Sequence, residues 1–363
     1  MKKFLILACF ATVLCSACKT DREDPAKTPY IRLDDHQKVF AKEFDEYYGE
    51  PTSDMTWMTA APGEASVNLS ALSGKYTVQF YTDDPTTDTA NSYVLAEYQN
   101  VAGGSAHTLA YDAPIGLDYV YVSAIGSDGK TFTGRFAQKD ANKSVNIGNN
   151  ADVSWKSRPA MHYFLEYEGY NSPEGTDYDY NEAVLDLEYV RGRSTIQITL
   201  RAAGASCHTS IGYRRETNKK DYVDDKIFDE IHEALGYPAI YSYATGKNLY
   251  YILNTGLNDT GKTAIKTLAL GEDEGLSICE IAPKFHLYLK LDDSKDEVIE
   301  YHIPTEVGSH CPEALLLAVP NFNWTPEGMS IHVQYSRFPY WVAFPDEYPL
   351  WYTTVWGKVN ASH

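Results

Sequence analysis

A mainly β protein is expected: two antiparallel β-sandwich domains, the second with a short helical insertion, preceded by one N-terminal amphipathic helix. Three observations predict it. Tyr, Thr and Val fill the periodic segments, and Tyr alone supplies 29 of 363 residues, a bias toward side chains that pack on pleated sheets. From Ser66 onward apolar residues alternate at period two, and Gly, Pro, Asp and Asn punctuate the runs. Only one earlier segment has a helical period, and the length leaves room for two cores.

The first segment reads as an export signal. Met1 to Lys3 is a short cationic start, and Phe4 to Leu14 is an apolar run too short to span a bilayer and the right size for a secretory core region. It ends in Leu14-Cys15-Ser16-Ala17-Cys18, small residues before a cysteine that polar Lys19-Thr20-Asp21-Arg22 follows. That pattern resembles a bacterial lipobox, which implies a signal peptide over 1–17 and lipid attachment at Cys18. Cys9 is a rival acceptor with a much shorter apolar run before it. Acidic residues just after Cys18 resemble the surface-display signal of some Gram-negative lipoproteins. The expected location is the outer membrane, at the cell surface or the periplasmic face.

Charge agrees. With 31 Lys and Arg against 50 Asp and Glu the chain carries −19, which repels nucleic acid and anionic membrane, so no nucleic-acid partner is expected. Past the leader, Cys18, Cys207, Cys279 and Cys311 remain; no pair has metal-ligand spacing, and with Cys18 acylated at most one bridge can form.

Residues 18–33 are charged and proline-bearing and read as a flexible tether. Asp34 or Asp35 can cap a helix through Tyr48, with Val39, Phe40, Phe44, Tyr47 and Tyr48 as its apolar stripe and Gly49 as its stop. The stripe is expected to dock on the first β domain. Alternating runs at 66–70, 75–81, 93–98, 107–111, 118–124, 131–137 and 144–147 make seven short strands, so 34–150 is taken as helix plus sandwich. Asp83 and Asp84 lie in a turn where their own backbone bonding is reason enough for acids. The second domain, 151–363, has strand candidates at 163–170, 183–190, 194–202, 249–253, 285–291, 297–303, 314–319, 331–335 and 341–344, and a helix at 225–235 with Ile227, Phe228, Ile231 and Leu235 on one side.

The stretch with chemical content is Asp177-Tyr178-Asp179-Tyr180-Asn181-Glu182, running into a strand. Asp177, Asp179 and Asn181 alternate, so a curled backbone would converge them on a hard cation such as Ca2+, which takes six to eight oxygens. Glu182 stands where a helix-loop-helix Ca2+ loop needs Gly, so that motif is excluded. A looser site would add Asp186, which shares a strand face with Glu188, because two buried carboxylates need a cation or donors. The competing reading is a capped turn leading into an edge strand whose acids face water.

Asp177-Tyr178-Asp179-Tyr180-Asn181-Glu182-Ala183-Val184-Leu185-Asp186 resembles the acidic-aromatic signature of the LruC-domain lipoproteins, surface or periplasmic proteins of largely unknown role. Three further stretches agree in order: Arg201 to Ser206 with Ile211-Gly212; Glu230 to Gly236 followed by Ile252 to Gly256; and Pro312 to Pro320 with Trp324, Glu327, Ile331, Tyr335, Phe338 and Trp341. Together they span much of the second domain, and the N-terminal helix, Trp57 and the first sandwich resemble the domain that often precedes it. The departures are Glu182, where the signature has Asp, and Glu313-Ala314, which lacks a Trp after Pro312.

No enzyme is expected. Gly204-Ala205-Ser206-Cys207-His208 lacks the last Gly of a nucleophile elbow, and His232-Glu233 has no second His at zincin spacing. The expected role is binding or adhesion toward a glycan or protein ligand, with Ca2+ as a possible structural ion. A glycan hydrolase of the envelope and a purely structural component are the alternatives. The aromatic crowd between Tyr335 and Trp356 offers a binding strip, although large residues in such a pattern are usually core.

Overall fold

The computed structural model describes residues 33–87, 92–148, 157–169, 176–216, 222–256, 259–305, 307–309 and 312–353. Cys18, the leader, most of the tether and Cys311 lie outside them. The chain opens with helix α1 (Leu33–Tyr48) and continues into strands β1 (Ala60–Asn68), β2 (Lys75–Tyr81), β3 (Val94–Ala102), β4 (Ala106–Pro114), β5 (Tyr119–Gly126), β6 (Thr131–Ala137) and β7 (Ser144–Asn146). A three-stranded sheet, β4-β1-β7, faces a four-stranded one, β3-β2-β5-β6. This is the expected first sandwich, filled by Val67, Val78, Phe80, Tyr111, Val120 and Val122. The Asp83–Asp84 turn bonds to its own backbone: Asp83 Oδ1 accepts from Asp84 N at 2.7 Å and Asp84 Oδ1 from Thr86 N at 2.8 Å.

The second unit comprises β8 (Met161–Tyr167), β9 (Ala183–Tyr189), β10 (Thr195–Ala202), β11 (His208–Glu216), β12 (Tyr222–Phe228), α2 (Ile231–Ala234), β13 (Ile240–Ser242), β14 (Lys247–Leu249), β15 (Ala264–Ala269), α3 (Ile278–Ile281), β16 (Phe285–Lys290), β17 (Ile299–Tyr301), β18 (Ala314–Ala318), α4 (Ile331–Gln334) and α5 (Phe338–Ala343). Its sheets are β15-β10-β9-β8-β18 and β12-β11-β16-β17, with β13-β14 as a separate hairpin.

The five-stranded sheet is apolar on both faces. Tyr163, Leu165, Leu185 and Leu187 meet the core shared with the other sheet, whereas Phe164, Val184, Leu315 and Leu317 point the other way and need a second cover. Two segments supply it. Phe44 and Tyr48 of α1 dock here and not on the first sandwich, correcting the sequence expectation: Tyr48 Oη bonds Ser330 Oγ at 2.7 Å, and its ring meets Phe338 edge-on at 5.2 Å. Tyr47 is more exposed, and its ring still meets those of Tyr178 and His332 at 6.0 and 5.4 Å. The C-terminal segment lays Tyr335, Phe338, Trp341 and Trp351 on the same face.

That burial explains two errors of period. Residues 331–335 and 341–344 are not strands but parts of α4 and α5, because a segment that covers a finished sheet has no strand edge to pair with. Residues 225–235 also differ: 222–228 is β12, paired with β11, and only Ile231–Ala234 is helical. A bulge at Ile227, between the pairs Ile211–Phe228 and Gly212–Lys226, lets adjacent Ile227 and Phe228 both be buried, which mimics a helical stripe in sequence.

The sandwiches are joined by single bridges, Met58 to Leu316, Val94 to Ala160 and Ala96 to Arg191. Between them sits Asp112, fully buried on β4. It accepts from Ser277 Oγ at 2.5 Å, from Ile278 N at 3.0 Å and from Arg191 at 3.3 Å. Ser277 also caps α3 with Glu280 in a capping box. Burial nevertheless raises the Asp112 carboxyl above its ordinary value.

Candidate functional site

The acidic stretch curls as its alternation requires. Tyr178 and Tyr180 adopt left-handed backbone conformations, φ +55° and +56°, which non-glycine residues rarely hold without surrounding support. That support is specific. Ile331 N donates to Tyr178 O at 2.7 Å, Tyr180 Oη to Pro312 O at 3.1 Å and Tyr180 N to Glu168 Oε2 at 2.7 Å. Gly204 N donates to Asn181 O at 3.0 Å, and a Cβ at 204 would strike both the side chain and the backbone of Asn181, so only Gly fits there.

The curl gathers four carboxylates around that of Asp177. One donor oxygen each from Glu168, Asp177 and Glu182 lies within 4.8 Å of the others, and the same holds for Asp177, Asp179 and Glu327. Glu168, Asp179 and Glu182 are buried, while Asp177 is exposed and forms the mouth. The groups acting most strongly on these acids are other carboxylates and not Lys or Arg. Burial first and Asp177 second push Glu168 up to about 8. Burial, then Glu168, Asp177 and Glu327, push Asp179 up to about 10. Glu327 rises to about 7 through burial and Asp177, and Glu182 also rises, through burial and then Glu168. Hydrogen bonds offset this in part: Gly328 N donates to Asp179 Oδ2 at 2.8 Å, and Thr176 Oγ1 donates to Glu168 Oε1.

Sequence reasoning placed Asp177, Asp179, Asn181 and Asp186 together; the structure brings together the first two. Asn181 lies beside them, but its Nδ2 is committed to Thr325 O at 3.1 Å. Asp186 does not join. It is buried on β9 with His162 Nδ1 at 2.8 Å and Arg201 Nε at 3.1 Å, so donors satisfy it and no cation is needed. Those partners hold its carboxyl below the usual range against its burial. Glu188 takes Gln197 Nε2 at 2.6 Å. Glu168, Glu182 and Glu327 are the members missed. Glu168 was hidden in a run read as strand, although Glu327 was already present in the closing pattern quoted above. All-oxygen donors in this number and spacing suit a hard cation such as Ca2+.

A second surface is apolar and wet. The β13-β14 hairpin exposes Ile240, Tyr241 and Leu249, its tip carries Tyr243 at 94% exposure, and Tyr251 follows at 44%. Tyr241 and Tyr243 meet edge to face at 5.2 Å, and Tyr237 and Tyr251 at 5.8 Å. Beside them opens a cleft of about 420 Å³ lined by Tyr241, Lys247, Asn248, Asp292 and Asp293. Asp293 accepts from Asn248 Nδ2 at 2.6 Å and from Tyr250 Oη at 3.1 Å. By contrast, Trp341, Trp351, Tyr335 and Phe338 of the C-terminal crowd are buried. Cys207 and Cys279 are free, and burial lifts both thiols to about 12.

The class defined by this arrangement is a mainly β protein of antiparallel sheets that combines a buried acidic cluster with an exposed tyrosine hairpin. Compared with known proteins, the chain matches no family model, no curated protein and no solved structure.

Proposed function

We propose that this chain is a binding protein of the bacterial cell envelope, lipid-anchored through Cys18, that holds a neutral glycan on the tyrosine hairpin and uses Ca2+ to brace the Asp177 turn. The resemblance to LruC-domain lipoproteins and the export signal support the address. The observation that carries the binding reading is the hairpin, where Tyr241, Tyr243 and Tyr251 keep ring faces in water beside a polar cleft. Exposed aromatic faces suit the C–H faces of sugars, and Asn248, Asp292 and Asp293 supply donors and acceptors for hydroxyls. The net charge of −19 disfavours acidic glycans and leaves neutral ones.

Neutral polysaccharides tested by affinity electrophoresis are expected to retard the wild type. Tyr243→Ala together with Tyr241→Ala is expected to weaken retention by at least about tenfold, roughly 1.4 kcal/mol, with an unchanged melting temperature, since exposed substitutions cost little. Undiminished retention in that variant, or none in the wild type, removes the reading; cleavage of the polysaccharide replaces it with hydrolysis. The anchor is tested separately. Cys18→Ala is expected to move the protein from the membrane to the soluble fraction, and a variant that stays with the membrane refutes lipidation there.

A further inference from the structure

The four-stranded sheet of the second unit carries a different donor set. β16 and β17 run antiparallel with Leu287 opposite Tyr301, so the next step sets His286 opposite His302. Glu300, two residues before His302, shares their face. The imidazole rings stack with centroids 4.8 Å apart, and one donor atom from each of His286, Glu300 and His302 lies within 4.8 Å of the other two. His286 Nδ1 and Arg214 Nη1 both bond Glu300 Oε1, at 2.6 and 2.7 Å. His302 Nδ1 is shielded from solvent and has no hydrogen-bond partner among the described residues. A buried ring nitrogen without a partner is costly.

This face opens on a cavity of about 850 Å³ lined also by Met58, Lys284 and Trp341, between the two sandwiches. We propose that His286, Glu300 and His302 form a site for a divalent transition metal of the Zn2+ type, with its remaining coordination positions turned toward this cavity. Two imidazoles and one carboxylate are a set that Zn2+ takes readily, whereas Ca2+ and Mg2+ prefer oxygen alone. The cation paired with Glu300 is Arg214. Asp224 Oδ1 at 3.0 Å already compensates it, so the guanidinium can steady Glu300 from outside the donor set while Oε2 faces the metal. A metal would satisfy the unpartnered His302 nitrogen and hold the two rings at their close spacing.

The test uses the untagged, metal-stripped protein. Zn2+ titration by calorimetry is expected to show tight binding that His302→Gln and Glu300→Gln each weaken by at least about tenfold, while Asp179→Asn, in the oxygen-only cluster, leaves it unchanged. Co2+ in place of Zn2+ is expected to give the visible absorption of a four- or five-coordinate site in the wild type and to lose it in His302→Gln. X-ray absorption of the Zn2+-loaded wild type is expected to show imidazole scattering, a readout that stands even if a variant fails to fold. Zn2+ affinity unaffected by His302→Gln, or a Zn2+ shell of oxygen alone, overturns the assignment.

Discussion

Freed of divalent cations, the protein is expected to gain stability as the pH is lowered from 8 to 5, and Ca2+ is expected to flatten that trend. The sign follows from the buried acids. In the unfolded chain they titrate near 4, whereas in the fold Glu168 is raised to about 8 and Asp179 to about 10, by burial first and neighbouring carboxylates second. Between those limits the native state binds more protons than the unfolded state. Their contribution is therefore fully present below pH 4 and is lost as the pH rises through the folded values, at about 1.4 kcal/mol per pH unit for each such proton. Ca2+ replaces those protons, and at a hundred times its dissociation constant it would add about 2.7 kcal/mol. Two histidines oppose the slope, because burial holds His302 and His332 below the ordinary imidazole value. The decisive comparison is therefore between wild type and Asp179→Asn, a variant that keeps an acceptor for Gly328 N but cannot titrate. Melting temperatures at pH 5, 6, 7 and 8, with chelator and with Ca2+, are expected to show the variant less dependent on pH and insensitive to Ca2+. A wild type that melts at one temperature across that range, with or without Ca2+, overturns both the raised carboxyls and the cation site, whereas a pH slope that Ca2+ does not alter leaves the cluster a set of protonated acids and no more.

The second large effect is expected at Asp112. Replacement by Ala strands Ser277, the Ile278 amide and Arg191 at the junction of the sandwiches, all now facing one buried carboxylate. Removing one member of such a buried set costs about 3–5 kcal/mol. Asp112→Asn should cost far less. Its oxygen still accepts, and the raised carboxyl shows that three donors do not fully repay the burial of the negative charge. Urea unfolding followed both by tryptophan fluorescence, which reports the second unit, and by circular dichroism, which reports both, checks this: the Ala variant is expected to unfold at markedly lower denaturant with the two probes parting into separate steps, and the Asn variant near wild type. Superimposable Ala and wild-type curves would remove Asp112 from the junction.

How far the sequence was legible depended on what each segment packs against. Lys75–Tyr81, paired on both sides, and Thr131–Ala137, at the sheet edge beside β5, match their expected bounds in full. The errors fall where tertiary cover sets the period. Ile331, Tyr335, Phe338 and Trp341 are apolar because a sheet face lies beneath them, and their spacing alone does not say whether strand or helix carries them. The same holds for α1, whose stripe predicts docking without saying on what. Alternation singled out Asp177 and Asp179, which the structure brings together. It also suggested Asp186, because a buried acid on a strand looks the same in sequence whether Arg201 and His162 or a metal awaits it. Glu168 and Glu327, some ten residues before and 150 after the turn, come close only through the sheet and the C-terminal cover.

The docking of α1 also has a mechanical consequence. Among the described residues, a pull applied from the amino side reaches this helix before any strand, and the helix is held to its sheet by rings such as Phe44 and Tyr48, not by a ladder of backbone bonds. Under tension the helix would peel away first, baring Tyr178 and the aromatic cover around Phe338 while both sandwiches stayed intact. The Asp177 turn lies under that helix, so traction on the N-terminus would be felt there first.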